Sequence, residues 1–156
     1  MEGLLLPATL DSIAEVGRRV VALAGDAGLG PDECYRLRLA TEEIVANVVH
    51  HGYPCDAGRA GTPTFEVSFG SDPERVWVCV VDAARPFDPT AVAAPGGLDV
   101  PLERRPAGGL GIHLARNALD EFSYRRDGAR NRVTLGVCRR AGEEGRDGTP
   151  DGPDRR

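Results

Sequence analysis

The spacing of apolar residues in the first third of the chain is typical of two amphipathic helices. The first is predicted to end at Gly25, and the second begins at Pro31 and ends at the turn that contains Gly52. On the second helix, Glu43 and Asn47 lie one turn apart on one flank of the apolar stripe, where a buried face would meet a cleft. The residues predicted to form that buried stripe are Leu37, Ala40, Thr41, Ile44 and Val48.

From residue 64 onward the apolar period changes to two, which predicts strands. A third helix interrupts this pattern after the glycine-rich segment 108–111, and its inward residues are predicted to be Leu110, Leu114 and Leu119. The segments predicted to be strands are 3–9, 64–70, 75–81, 121–126 and 130–137.

Composition limits the classes of function. The chain has 156 residues and a net charge of −5, so we expect one domain and no clustered basic surface for a nucleic acid. Its 19 basic residues are all arginine, which excludes a Walker-type phosphate lysine and a Schiff-base lysine. The four cysteines form no C-x-x-C pair, and no segment reads as a signal peptide or a membrane span, so a cytoplasmic location is expected.

Polar residues at the ends of the predicted elements are the candidates for chemistry. A carboxylate and an amide four residues apart, as at Glu43 and Asn47, can orient a hydroxyl and bind a hard cation, although this spacing is also common on solvated helices. Asp82 ends an apolar strand, and the glycines at 108–111 begin a helix whose free N–H groups suit a phosphate. Adjacent histidines such as His50 and His51 point about 100° apart on a helix and cannot bind one metal ion together without distortion.

Three motifs occur in the order found in a known superfamily. They are E-E-x-x-x-N-x-x-x-H-G-Y from residue 42, P-F-D-P from residue 86, and G-L-G-x-x-L-x-R-x-x-x-D from residue 109. Together they resemble the N, G1 and G2 boxes of the gyrase-like and histidine kinase-like (Bergerat) ATP-binding fold. Over residues 8–138 the chain looks like the small anti-sigma-factor serine kinases of the RsbW and SpoIIAB type. The resemblance implies an α/β sandwich in which about three helices cover one face of a mixed, mostly antiparallel sheet.

The resemblance also implies roles for individual residues. Glu43 would act as the base on an incoming hydroxyl, Asn47 would bind Mg²⁺ between the phosphates of ATP, and Asp82 would accept a hydrogen bond from the adenine amino group. The other nucleotide-binding positions that it implies are Ala84, Phe87, Gly108, Gly109, Leu110, Gly111 and Ile112.

The chain departs from the family pattern at two places. Ala84 replaces a glycine of the family's D-x-G-x-P-F motif, and its methyl group, which disfavours a positive φ, is expected to weaken nucleotide binding or tilt the adenine. Residues 130–132 stand where the family commonly has a Gly-Thr pair. Residues 1–140 are predicted to form the domain, with a mobile lid at about 88–107 that includes Arg104 and Arg105, and a disordered tail at 141–156.

The partners implied by the resemblance are a STAS-type anti-sigma-factor antagonist, phosphorylated on serine or threonine, and a sigma factor. The family's first helix meets such partners, so Arg18 and Arg19 are candidates for a contact, and a homodimer is expected. Two other classes stay open. One is a non-catalytic partner-switch module, with or without ATP, and the other is an ATP-binding signalling domain with a different output.

Overall fold

The computed structural model describes residues 2–53, 61–92 and 109–139. These form a two-layer α/β sandwich in which three helices cover one face of a five-stranded sheet, as expected. The strands lie in the order β1-β2-β3-β5-β4. In chain order, the elements are β1 (Glu2–Pro7), α1 (Leu10–Asp26), α2 (Pro31–Asn47), β2 (Thr64–Ser71), β3 (Arg75–Asp82), α3 (Gly109–Ala118), β4 (Glu121–Asp127) and β5 (Arg130–Cys138).

Every pair of neighbouring strands among the described residues is antiparallel, whereas a mixed sheet was expected. The two helices between β1 and β2 return the chain in the opposite direction, which makes that pair antiparallel. Because β5 is antiparallel to both β3 and β4, those two strands run in the same direction, with β5 between them. The fold class is therefore confirmed, and its sheet is more regular than the sequence suggested.

The core lies between the sheet and the helices. All the residues predicted for the α2 stripe are buried, from Leu37 at 0% exposure to Val48 at 5%. On α1, Val16, Val20 and Ala24 are fully buried at helical spacing, as their pattern predicts. Alternate side chains of the three central strands complete the core, among them Phe65, Val67, Val76, Val78, Val80, Val133, Leu135 and Val137.

The inward face of α3 differs from the prediction. Leu114 is 52% exposed, whereas Ile112 and Ala115 are buried and Leu119 packs against the core. Positions 112, 115 and 119 lie on the side of α3 that packs against α2. Position 114 lies on the opposite side of the helix. The guanidinium of Arg36 on α2 donates to the carbonyl oxygen of Ala118 at 2.6 Å, which joins the two helices at the end of α3.

The arginine pair on α1 is engaged within its own helix. Arg18 donates to one carboxylate oxygen of Glu15 at 2.6 Å, and Arg19 donates to the other at 2.8 Å. The hydrogen bond from Arg18, and after it the one from Arg19, holds the pKa of Glu15 below its usual value. Within the described part of the chain, Arg18 and Arg19 therefore form ion pairs on the surface of their own helix.

Parts of the predicted domain layout lie outside the described residues. Of the predicted lid, only residues 88–92 are described, and they include a 3₁₀ turn at Pro89–Ala91 that Asp88 caps by accepting the N–H of Thr90 at 2.8 Å. Arg104, Arg105 and the tail at 141–156 fall outside. No helix in the described part of the chain is long and apolar enough to cross a membrane.

Two leucines on different helices test this packing. Leu37→Ala removes a fully buried side chain and should lower the free energy of unfolding by about 2–5 kcal/mol. Leu114→Ala, the matched control on the exposed side of α3, should change it by about 0.5 kcal/mol or less. Urea denaturation measures both, and a large loss for Leu114→Ala would show that α3 is rotated from the orientation described.

Candidate functional site

The end of α2 is reshaped by a π-helical turn at Val48–Gly52. The sequence predicts a helix that simply continues to an exit turn here. A π turn holds more residues per turn than an α-helix and often occurs beside functional sites. It brings His50, His51 and Gly52 together with Asn47 around one cavity.

This cavity has a volume of about 550 Å³ and opens between α2, the end of β3 and the start of α3. Its walls are formed by the π turn on one side and by the segment after Asp82 on the other. The predicted site residues that line it are Asn47, Asp82, Ala84, Phe87 and Ile112. The family motifs predict that these residues belong to one nucleotide site, and the fold brings them to one cavity.

Asp82 is 5% exposed and occupies the end of β3 in the cavity wall. Its Oδ1 atom accepts two hydrogen bonds, from the N–H of Ala84 at 2.8 Å and from Nδ2 of Asn131 at 2.9 Å. No described residue donates to Oδ2. The carboxylate is thus held through one oxygen, and the other is left to accept from a ligand.

Asn131 is a site residue that sequence reasoning did not assign. It is 3% exposed and is the direct partner of Asp82 in the pairing of β3 with β5. Its Oδ1 accepts from the hydroxyl of Tyr124 at 2.9 Å and from the guanidinium of Arg126 at 2.7 Å. A signal existed in the sequence, because Asn131 is a polar residue on the strand face that otherwise carries Val133, Leu135 and Val137.

The segment after Asp82 is held from three directions. Arg126 donates to the carbonyl oxygen of Ala84 at 3.1 Å, and Asn131 donates to that of Arg85 at 3.1 Å. The hydroxyl of Tyr53 accepts the N–H of Ala83 at 3.3 Å and donates to the carbonyl oxygen of Thr64 at 3.1 Å. The backbone that faces the cavity is therefore fixed before any ligand binds.

Ala84 fits its position without backbone strain. No non-glycine residue among those described has a positive φ, so position 84 does not need the backbone conformation that a methyl group would disfavour. The weaker nucleotide binding expected from the sequence stays a prediction. The side chain is 6% exposed and faces Gly52, since a Cβ atom built on Gly52 would lie 3.2 Å from that of Ala84. A side chain at position 52 would therefore crowd the methyl group of Ala84, and glycine avoids this contact.

Glu43 lies against the first turn of α3. A Cβ atom on Gly111 would clash with its carboxylate, so the two groups are in direct contact. Asn47 is one turn further along α2, in the cavity. Of the predicted phosphate turn, Gly109 and Leu110 are described only as the backbone of α3, and Gly108 lies outside the described residues.

The polar groups around this cavity fit a nucleotide such as ATP better than a metal ion bound by protein side chains alone. A cavity of this size suits a small-molecule ligand, with Oδ2 of Asp82 as an acceptor for a base at one wall and the start of α3 at another. Within residues 2–53, 61–92 and 109–139 there is no group of three or more His, Cys, Asp or Glu side chains that could hold a metal ion. A hard cation would have to be shared between the amide oxygen of Asn47, water and the ligand's own phosphates.

Comparisons with known proteins identify the family of this chain. A family model described as the histidine kinase-like ATPase domain matches residues 6–137, and the chain belongs to this family. It is 25% identical over 125 residues to the serine-protein kinase RsbW of Bacillus cereus strain AH187, covering 78% of this chain and 75% of that protein. The RsbW protein of strain G9842 is 24% identical over the same coverage.

Among solved structures, the chain is similar to the RsbU and RsbW domains of Rv1364c from Mycobacterium tuberculosis. The TM-score is 0.56 at 17% sequence identity, and the match covers 90% of this chain and 33% of that longer one. At this identity the likeness shows the fold alone. The resemblance to kinases of the RsbW type, proposed from three sequence motifs, is confirmed by the relatives.

The contact between positions 52 and 84 gives a testable prediction. Gly52→Ala adds a methyl group against Ala84 and should destabilise the protein by about 1–3 kcal/mol. In the double variant with Ala84→Gly the crowding disappears. The change in unfolding free energy of the double variant should therefore differ from the sum of the two single changes by at least about 0.5 kcal/mol. Chemical denaturation of the single and double variants measures that coupling.

Gly25→Ala on α1 is the control, because nothing lies within 4 Å of a Cβ atom at that position. It should leave stability unchanged or raise it by up to about 1 kcal/mol. Strictly additive effects of Gly52→Ala and Ala84→Gly would contradict the packing described.

Proposed function

We propose that the protein is an ATP- and Mg²⁺-dependent serine/threonine protein kinase of the anti-sigma-factor type. The observation that carries the proposal is the single cavity lined by Asn47 and Asp82, with the first turn of α3 and Glu43 beside it. A purine-selecting acid, an amide oxygen and free main-chain donors are what the binding of a nucleoside triphosphate requires.

In this arrangement the adenine amino group donates to Oδ2 of Asp82, which lacks another donor among the described residues. The cavity wall at Ala84 and Phe87 packs on the base, and Phe87 is exposed enough to be covered by a ligand. The N-terminus of α3, at Gly109, Leu110 and Gly111, would receive the phosphates through main-chain N–H groups, and Gly108 is the preceding position that the family resemblance implies. Ile112 closes the apolar wall between base and phosphates.

Bound ATP would supply the phosphoryl group, and Mg²⁺ held in part by Asn47 would neutralise the charge on its phosphates. Glu43 orients the incoming serine or threonine hydroxyl. As the hydroxyl oxygen bonds to the γ-phosphorus and the bond to ADP breaks, the hydroxyl proton passes to the Glu43 carboxylate. The contact of Glu43 with Gly111 supports this role, because the phosphates would be bound by the same helix turn.

The proposed acceptor is a STAS-type anti-sigma-factor antagonist, and the proposed second partner is a sigma factor, held by a homodimer of this chain. The α1 surface supports a protein partner, because Leu10 and Val21 are exposed there beside the ion pair of Arg18 with Glu15. A cytoplasmic site of action accords with such partners.

Binding of ATP is the first test. Isothermal titration calorimetry should detect ATP binding that depends on Mg²⁺, and Asn47→Ala should weaken it by about tenfold or more because the amide oxygen is lost. His50→Ala, at an exposed position in the same cavity, is the control and should have a smaller effect. A protein that binds no ATP would instead favour a nucleotide-free partner-switch module.

Phosphoryl transfer tests the role of Glu43. With radiolabelled ATP and the purified STAS-type antagonists of the source organism, Glu43→Gln should reduce transfer about 100-fold or more while ATP still binds. The matched control is Glu42→Gln, since Glu42 pairs with Arg38 at 2.8 Å on a different side of the helix.

Equal loss in both variants would point to a general defect in α2. Unchanged transfer in Glu43→Gln would show that another group acts on the hydroxyl.

A further inference from the structure

We infer that Asn131 is a positioning residue that fixes the carboxylate of Asp82 and thereby sets the preference for a 6-amino purine over a 6-oxo purine. This inference rests on the proposed nucleotide site and adds a determinant that the sequence motifs do not contain. Asn131 lies outside the three motifs, in the segment 130–132 that stands where the family commonly has a Gly-Thr pair, and it acts through Asp82.

The two oxygens of Asp82 are used differently. Oδ1 accepts from the Ala84 N–H at 2.8 Å and from Asn131 Nδ2 at 2.9 Å, so both of its lone-pair directions are occupied. Oδ2 receives no donor from the described residues, and Asp82 lines the cavity. A ligand therefore meets one acceptor of fixed direction instead of a carboxylate that can rotate.

The orientation of Asn131 is itself determined. Its Oδ1 accepts from the hydroxyl of Tyr124 at 2.9 Å and from Arg126 at 2.7 Å. If the amide were turned over, its NH₂ group would face the guanidinium donors and its oxygen would face the Asp82 carboxylate. Tyr124 and Arg126, both on β4, thus select the one rotamer in which Asn131 donates to Asp82.

The same groups hold the adjoining backbone. Arg126 also bonds to the carbonyl oxygen of Ala84, and Asn131 also bonds to that of Arg85. The position of Oδ2 relative to the cavity wall is therefore set by a connected network that spans β3, β4 and β5. A fully satisfied buried network of this kind makes its members rigid, and removal of one member leaves others unsatisfied.

Selectivity follows from the one remaining acceptor. The exocyclic amino group of adenine donates to it, whereas a 6-oxo purine places an acceptor oxygen at the same position. A buried carboxylate oxygen that faces another acceptor is left unpaired, which costs more than a missing contact. When the carboxylate can rotate, part of that discrimination disappears.

The experiment compares ATP with inosine triphosphate, which carries oxygen in place of the amino group. Calorimetry with Mg²⁺ on the full chain should give the ratio of the two affinities for the wild type and for each variant. Asn131→Ala should reduce that ratio roughly tenfold, mainly by weakening ATP binding, because a hydrogen bond to a charged group is lost. Tyr124→Phe keeps the ring and should reduce the ratio less, in the same direction.

Arg125→Gln is the matched control on β4, since Arg125 is exposed and pairs only loosely with Asp127, at 3.5 Å. It should leave the ratio unchanged. Thermal denaturation of each variant identifies the folded ones, and Tyr124→Phe carries the test if Asn131→Ala does not fold.

The possible failures are distinct. A wild type that binds neither nucleotide overturns the proposed function and this inference with it. A wild type that prefers ATP, together with folded Asn131→Ala and Tyr124→Phe proteins that keep the same ratio, overturns the inference alone. A uniform loss of both nucleotides at a constant ratio also overturns it, because that result indicates a structural role only.

Discussion

The burial of one stripe of α2 against the centre of the sheet is the constraint on which the site depends. Its side chains are almost completely removed from water, and burial of each of the larger ones, Leu37, Ile44 and Val48, contributes about 1.5–3 kcal/mol. The helix cannot rotate about its axis without exposing them. Glu43 and Asn47, on the flank of the stripe, are therefore held at the edge of the cavity whether or not a ligand is present.

The second half of the site depends on strand pairing. The antiparallel register of β3 with β5 places Asp82 opposite Asn131, at the end of a face that is apolar everywhere else. Burying a carboxylate and an amide there is costly unless they are hydrogen-bonded. The bonds to Ala84, Tyr124 and Arg126 meet most of that cost, and they leave one carboxylate oxygen for a ligand. Stability and recognition thus use the same contacts.

The alanine at position 84 illustrates how a departure from a family pattern can be accommodated. The backbone there has an ordinary conformation, so glycine is not needed for its φ angle. The methyl group faces Gly52, in the π turn. Two positions distant in sequence therefore have to be considered together, because a side chain at position 52 would lie in tight contact with that of Ala84 at the cavity wall.

The sequence by itself determined the order of the α-helices and strands in the described part of the chain, because period and turn residues act locally. It identified the buried stripe of α2 through its spacing, and through the family motifs it singled out five of the residues that line the cavity. It misjudged the exposure of Leu114, it did not reveal the contact between Ala84 and Gly52, and it gave Asn131 no role. These features were decided only by the tertiary structure. Packing against α2 sets which face of α3 is buried, and packing also brings Gly52 to Ala84, while strand register brings Asn131 to Asp82. None of these contacts depends on neighbours in the sequence alone.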